Sequence, residues 1–134
     1  MNQLFSITLP VSDLSKSVAF FKALGFSQNP QFSGDNAACI AISEAVILML
    51  CTHSTFAEFS PKAICDTSKA AQALFAIGCE SRAQVDERIA KAREAGGTIY
   101  EESVDYGFMY HSSFADPDGH LWGLNYMSGT PPQN

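Results

Sequence analysis

The chain is short of charge, and shorter still of positive charge. Only 16% of its 134 residues are Asp, Glu, Lys or Arg; eight Lys and Arg stand against fourteen Asp and Glu, a formal net charge of −6. The cations form no cluster and the isoelectric point is near 4.8. A phosphate backbone therefore finds no electrostatic footprint, which excludes nucleic acid as a partner, and an anionic membrane surface finds none either. Long hydrophobic runs are also missing. The longest, such as 45–51, fall far short of the ~20 residues that span a bilayer. Met1-Asn2-Gln3 has no basic character and Leu9-Pro10 interrupts the first apolar stretch, so no secretory signal is expected and a cytoplasmic location is. The four cysteines, at 39, 51, 65 and 79, include no C-x-x-C pair. Three lie in or beside apolar runs and read as buried free thiols, while Cys65 sits in a polar stretch and is the one whose reactivity is worth testing. Ser112-Ser113 lacks a G-x-S-x-G elbow, and Gly96-Gly97 stands alone after a helix rather than in a phosphate loop or dinucleotide fingerprint.

What is present is apolar substance: 46% of the chain is hydrophobic and 11% aromatic. That balance is opposite to disorder and gives this length a sizeable core. Phe5, Ile7, Leu9 and Val11 alternate as one face of a strand. Ser12 or Asp13 can cap a helix in which Leu14, Val18 and Phe21 recur, ending at Gly25. Three strand-like runs follow at about 26–32, 36–43 and 45–52. Residues 53–71 lose periodicity and read as a connector with a helical turn near Thr55 to Phe59. Then the order returns. A strand at 74–79 leads to Ser81-Arg82-Ala83-Gln84, which has the form of a capping box. Val85, Ile89 and Ala92 make the next helix's apolar stripe, and Glu87 and Lys91 form an i,i+4 pair. Strands are expected at 98–104, 108–115 and 120–127, the last two joined by the turn Asp116-Pro117-Asp118-Gly119.

The plan is thus an α+β one: a strand, a helix and three strands, used twice, in modules 4–52 and 72–127 joined by connector 53–71. Each module makes a four-stranded sheet with a helix on one face. Paired modules of this kind give a curved, partly closed mixed sheet around a cleft, with the helices outside, and such clefts are usual ligand sites.

Leu9-Pro10-Val11-Ser12-Asp13-Leu14, Ser17-Val18-Ala19-Phe20-Phe21, Leu24-Gly25-Phe26 and Phe114-Ala115-Asp116-Pro117-Asp118-Gly119-His120-Leu121-Trp122 resemble signatures of the vicinal oxygen chelate superfamily, also called the glyoxalase, bleomycin resistance protein and extradiol dioxygenase superfamily. Asn29-Pro30-Gln31-Phe32-Ser33, Leu50-Cys51-Thr52-His53 and Ser81-Arg82-Ala83-Gln84-Val85-Asp86-Glu87 are similar to its branch of predicted lactoylglutathione lyases. The resemblance implies paired βαβββ modules and, in metal-using members, four ligands on the first and fourth strands of each module. Those positions fall here at Ser6, about Leu48, about Leu74 and Gly123. Only the first offers even a hydroxyl, so no metal ligand and no cofactor is expected.

Strand alternation sends Ser6 and Thr8, then Leu74, Ala76, Gly78 and Glu80, then Leu121, Gly123 and Asn125 toward the cleft. The ligand-binding residues expected from this reading are Ser6, Thr8, His53, Phe56, Tyr110, Gly123 and Asn125. Tyr106, Phe108 and Tyr110 are expected to share a strand face, His120 to be a rim or hydrogen-bonding residue, and Glu101, Glu102 and Asp105 to be a solvated acidic strand end. No catalytic residue is assigned. The expected function is binding of a small molecule by a homodimer without the family's metal centre, and sequestration of a toxic compound is one form of it. The alternative is a glyoxalase-type lyase or isomerase using a divalent metal. A structural or regulatory dimer with a filled cleft is the third reading.

Overall fold

Proline and glycine set the limits of two elements in the first module. The computed structural model describes residues 3–130, and in it the chain divides into two units, one up to Asp66 and one from Thr67. The first contains β1 (Phe5–Val11), α1 (Leu14–Ala23), β2 (Ser27–Asn29), a 3-10 turn (Pro30–Phe32), β3 (Ala37–Ala41), β4 (Val46–Thr52) and α2 (His53–Phe59). Asp13 caps α1 by accepting the Lys16 N–H at 3.1 Å, and Gly25 (φ +104°) turns the chain out of it. The run expected at 26–32 is a strand only to Asn29. Pro30, which has no N–H to give a sheet, starts the 3-10 turn, and the Asn29 side chain accepts the Gln31 N–H at 3.0 Å. The helical turn in the connector is a two-turn helix, α2, capped by Thr52.

The sheet order is β1-β4-β3-β2, with β1 parallel to β4 and the other pairs antiparallel. Helix α1 packs on β2, β3 and β4. The face it buries carries Phe21 as expected, with Ser17, Phe20 and Leu24, while the expected Leu14 and Val18 are only half-buried. The reason lies in bulk: adjacent phenylalanines at 20 and 21, edge to face with ring centroids 5.2 Å apart, centre the buried stripe on themselves. Their partners in the core are Leu9, Val11, Ile40, Leu48 and Leu50. Phe5 does not join them, being 62% exposed at the start of β1.

The second unit repeats the plan with β5 (Leu74–Gly78), α3 (Arg82–Glu94), β6 (Thr98–Asp105), β7 (Met109–Ala115) and β8 (Leu121–Met127), in the order β5-β8-β7-β6. Ser81 caps α3 by accepting the Gln84 N–H at 3.1 Å. Gln84 reaches back one residue further than a capping box requires, to the Glu80 N–H at 2.8 Å. Val85, Ile89 and Ala92 are buried as expected, above a core of Phe114, Trp122, Leu124 and Ile77. Trp122 stacks on Phe114, interplanar angle 10°. The β7–β8 turn is organised by Asp116. Its carboxylate accepts the Asp118 and His120 N–H groups, each at 3.0 Å, and the Trp122 indole N–H at 3.2 Å. Burial pushes its pKa above the ordinary carboxylate value, against the opposing pull of His120 and these donors. No helix among the described residues is long and apolar enough to cross a membrane.

Candidate functional site

Each sheet has one face covered by its own helix and one turned away from it. On the first sheet, the pairing of Ser6 with Ile47 and Thr8 with Met49 puts these four on the face away from α1. Leu48 belongs to the covered core, fully buried beside Leu50. The fourth-strand position expected at Leu48 is therefore on the wrong side, and Ile47 or Met49 stands where it was expected. His53 opens α2 on the surface and Phe56 is half-buried on the same helix, which packs on β1 and β4.

The second sheet's face away from α3 carries more chemistry. The β7–β8 register pairs His111 with Asn125 and Ser113 with Gly123, β6 adds Glu101 opposite Ser113, and β5 adds Leu74, Ala76 and Gly78. These side chains meet around the imidazole of His111. Its Nδ1 contacts the Asn125 side-chain oxygen. Its Nε2 lies 2.7 Å from Ser113 Oγ and 3.1 Å from Glu101 Oε1. An amide oxygen only accepts, so Nδ1 is the nitrogen that carries hydrogen, and the Asn125 amide N–H groups remain as donors directed elsewhere. The ring is packed as well as bonded. A Cβ at position 123 would stand 2.8 Å from His111 Cε1, a separation that real side chains do not tolerate.

Gly123 and Asn125 are thus brought together as expected, but around a residue not counted among the site residues. Tyr110 is not with them. It pairs with Tyr126 and donates its hydroxyl to Asp86 of α3 at 2.7 Å, so it stands on the helix-covered side. Nor do Tyr106 and Phe108 share a strand face with it, because β7 begins only at Met109; the two rings, 6.5 Å apart, belong to the preceding turn. His120 is buried rather than at a rim. Cys65 is half-buried in the chain segment that follows α2 and precedes β5.

The expected acidic patch is divided between the two faces. Arg93 of α3 holds Glu102 at 2.5 Å and Arg82 of α3 holds Asp105 at 2.5 Å, the latter keeping the Asp105 carboxyl below its usual range. Glu101 alone lies on the other side, with His111. Two register shifts in β6, on either side of Glu101, cause the split, since each changes which face the following residues take.

The donor set does not fit the divalent metal that the resemblance implies. The four expected positions supply a serine hydroxyl, two aliphatic side chains and a glycine, and the space beside Gly123 is filled by an imidazole. No three His, Cys, Asp or Glu residues converge among the described residues. Asn125, His111 and Ser113 have the connectivity of a nucleophile triad, yet Ser113 is only 3% exposed and its hydroxyl is shut beneath the ring, out of a substrate's reach. The arrangement is suited to holding a ligand by hydrogen bonds.

Comparison with known proteins agrees with this architecture. A family model described as Glyoxalase/Bleomycin resistance protein/Dioxygenase superfamily matches residues 3–124. No curated protein matches the chain. Among solved structures, a hypothetical protein from S. aureus, SA1046, is 27% identical, with a TM-score of 0.79 over 94% of each chain. A glyoxalase/bleomycin resistance protein/dioxygenase family enzyme from Burkholderia phytofirmans PsJN is 16% identical, TM-score 0.77, over 93% of this chain and 98% of that one. TnmS3, an antibiotic binding protein from Streptomyces sp. CB03234, is 21% identical, TM-score 0.66, over 96% and 98%.

Proposed function

This chain belongs to the Glyoxalase/Bleomycin resistance protein/Dioxygenase superfamily, and from that membership we propose that it is a small-molecule-binding protein that uses hydrogen-bonding side chains in place of a metal centre. One observation carries the reading. At the position where metal-using relatives are expected to place a carboxylate there is Gly123, and the room its missing side chain leaves is taken by the His111 ring, itself tied to Asn125, Ser113 and Glu101. A ligand then meets fixed donors and acceptors rather than a Lewis acid. Sequestration of a toxic compound is the form of binding that the likeness to an antibiotic binding protein supports.

A homodimer in the cytoplasm is part of the same proposal. Leu4, Phe5 and Leu74 stand exposed, Phe5 and Leu74 on the edge strands of their sheets, and the four cysteines are free thiols. Such apolar edges are what a second copy would cover.

The test is elemental analysis of the purified protein, with thermal-shift screening against metabolites and antibiotics. Metal well below one equivalent, and a rise in melting temperature with at least one compound, are expected. Stoichiometric Ni, Zn, Fe or Mn, or metal-dependent turnover of the glutathione–methylglyoxal hemithioacetal, would overturn the reading in favour of a lactoylglutathione lyase. A panel in which no compound moves the melting temperature would leave a structural dimer. Sedimentation of the native protein at one protomer mass would remove the dimer.

A further inference from the structure

Charge is distributed over this fold in a way that selects a ligand class. None of the eight strands contains a Lys or Arg; the cations lie on α1, on α3 and in the segment between α2 and β5. The strands' acidic residues are Glu101, Glu102 and Asp105, all on β6. Two of these are neutralised by α3 arginines on the covered face. The third, Glu101, stands on the face away from α3, its side chain 40% exposed, against an imidazole that is 19% exposed.

On the reading that this face binds a small molecule, we infer that its ligand is neutral or cationic, and that Glu101 is the residue which selects it. His111 is the positioning residue. Pinned by Asn125 and Ser113, it sets its Nε2 3.1 Å from one Glu101 oxygen and leaves the carboxylate's remaining lone pairs to accept from a ligand hydroxyl, amine or ammonium. The Asn125 amide N–H groups supply the complementary donors. An anionic ligand would approach this carboxylate on a sheet whose strands carry no Lys or Arg to answer it. Ala76 and Gly78 of β5, on the same face and exposed, leave a low surface on which a flat ring can lie.

Two planar fluorophores of similar size and opposite charge test this: proflavine, a cation, and fluorescein, a dianion, titrated by fluorescence anisotropy at physiological salt. Proflavine should bind at least tenfold more tightly. Glu101→Gln should weaken proflavine at least fivefold, whereas Glu102→Gln, the same change in net charge on the α3 face, should leave it within twofold. His111→Leu should weaken proflavine while keeping the native circular dichroism spectrum. Equal or tighter binding of fluorescein, equal effects of the two Gln variants, or no binding of either dye would overturn the inference. The outcomes separate from those of the broader reading: anionic compounds that stabilise the metal-free protein would sink the ligand class and leave metal-free binding standing.

Discussion

The two modules share one order of elements and are held together by different forces. In the first, α1 is fastened by apolar bulk: Phe20, Phe21 and Leu24 are buried against Leu9, Ile40, Leu48 and Leu50. In the second, the smaller stripe of Val85, Ile89 and Ala92 is supplemented by polar ties. Arg82 pairs with Asp105 and lies 5.1 Å over the Tyr110 ring, Arg93 pairs with Glu102, and Asp86 accepts from Tyr110 and Ser103. The faces away from the helices differ in the same sense, Ser6, Thr8, Ile47 and Met49 on one and an imidazole with three polar partners on the other. A topology thus constrains where the core lies and leaves open which interactions secure it, so the second module could collect hydrogen-bonding chemistry without changing its fold.

The sharpest way to break the comparison is to remove the bulk on which the first module depends. Phe21→Ala deletes a fully buried ring and is expected to destabilise by about 4 kcal/mol in chemical denaturation. That loss should be the same at low and high salt, because no charge is involved. In the second module a large effect is also expected at a polar position. Asp116→Ala strands three N–H donors, one of them the indole of buried Trp122, and should destabilise by about 3 kcal/mol. The pH dependence has a definite sign. Because burial raises the folded-state pKa of Asp116, this group's contribution is most favourable below the ordinary carboxylate value and declines as pH rises through the raised one. Asp116→Asn should remove that decline, at the expense of an amide N–H facing the indole N–H.

A subtler change addresses the site. Gly123→Ala sets a methyl group against His111 Cε1 and is expected to destabilise by about 2 kcal/mol through overpacking. In a His111→Ala background the same change should be neutral or slightly stabilising, since alanine loses less backbone freedom than glycine in a strand. A thermodynamic cycle in which the two substitutions simply add would show that the ring does not fill the space beside position 123.

How far these features could be read from the residues follows from the same contrast. Both modules, the α3 stripe and the Asp116–Gly119 turn are visible in apolar spacing and turn chemistry, which act locally. In α1 the spacing pointed to Leu14 and Val18, but Phe20 and Phe21 are bulkier and took the buried side. Gly123 and Asn125 follow from alternate positions along β8. His111 is within reach of the same count, because the tight turn fixes 113 opposite 123 and 111 opposite 125, but the aromatic row before it is the more conspicuous pattern in the sequence. Glu101 had no such signal. Strict alternation would put it on one face with Asp105, and only the irregular pairing of β6 parts them.

The smallest expected effect concerns the polar fastening of α3 itself. Arg82 and Asp105 are exposed, and the pairing lowers the Asp105 pKa. The stabilisation from Asp105 is therefore fully present above the ordinary carboxylate pKa and is lost as pH falls through the lowered one. Asp105→Asn should lower the melting temperature slightly at neutral pH, less in high salt than in low, because exposed ion pairs are screened. The variant and the native protein should converge below the lowered pKa. Arg82→Lys should not restore the full effect, since an ammonium keeps the charge but loses the flat guanidinium over Tyr110. If the variant's deficit were indifferent to salt, α3 would be held as α1 is, by apolar packing, and the contrast between the modules would be confined to the faces away from the helices.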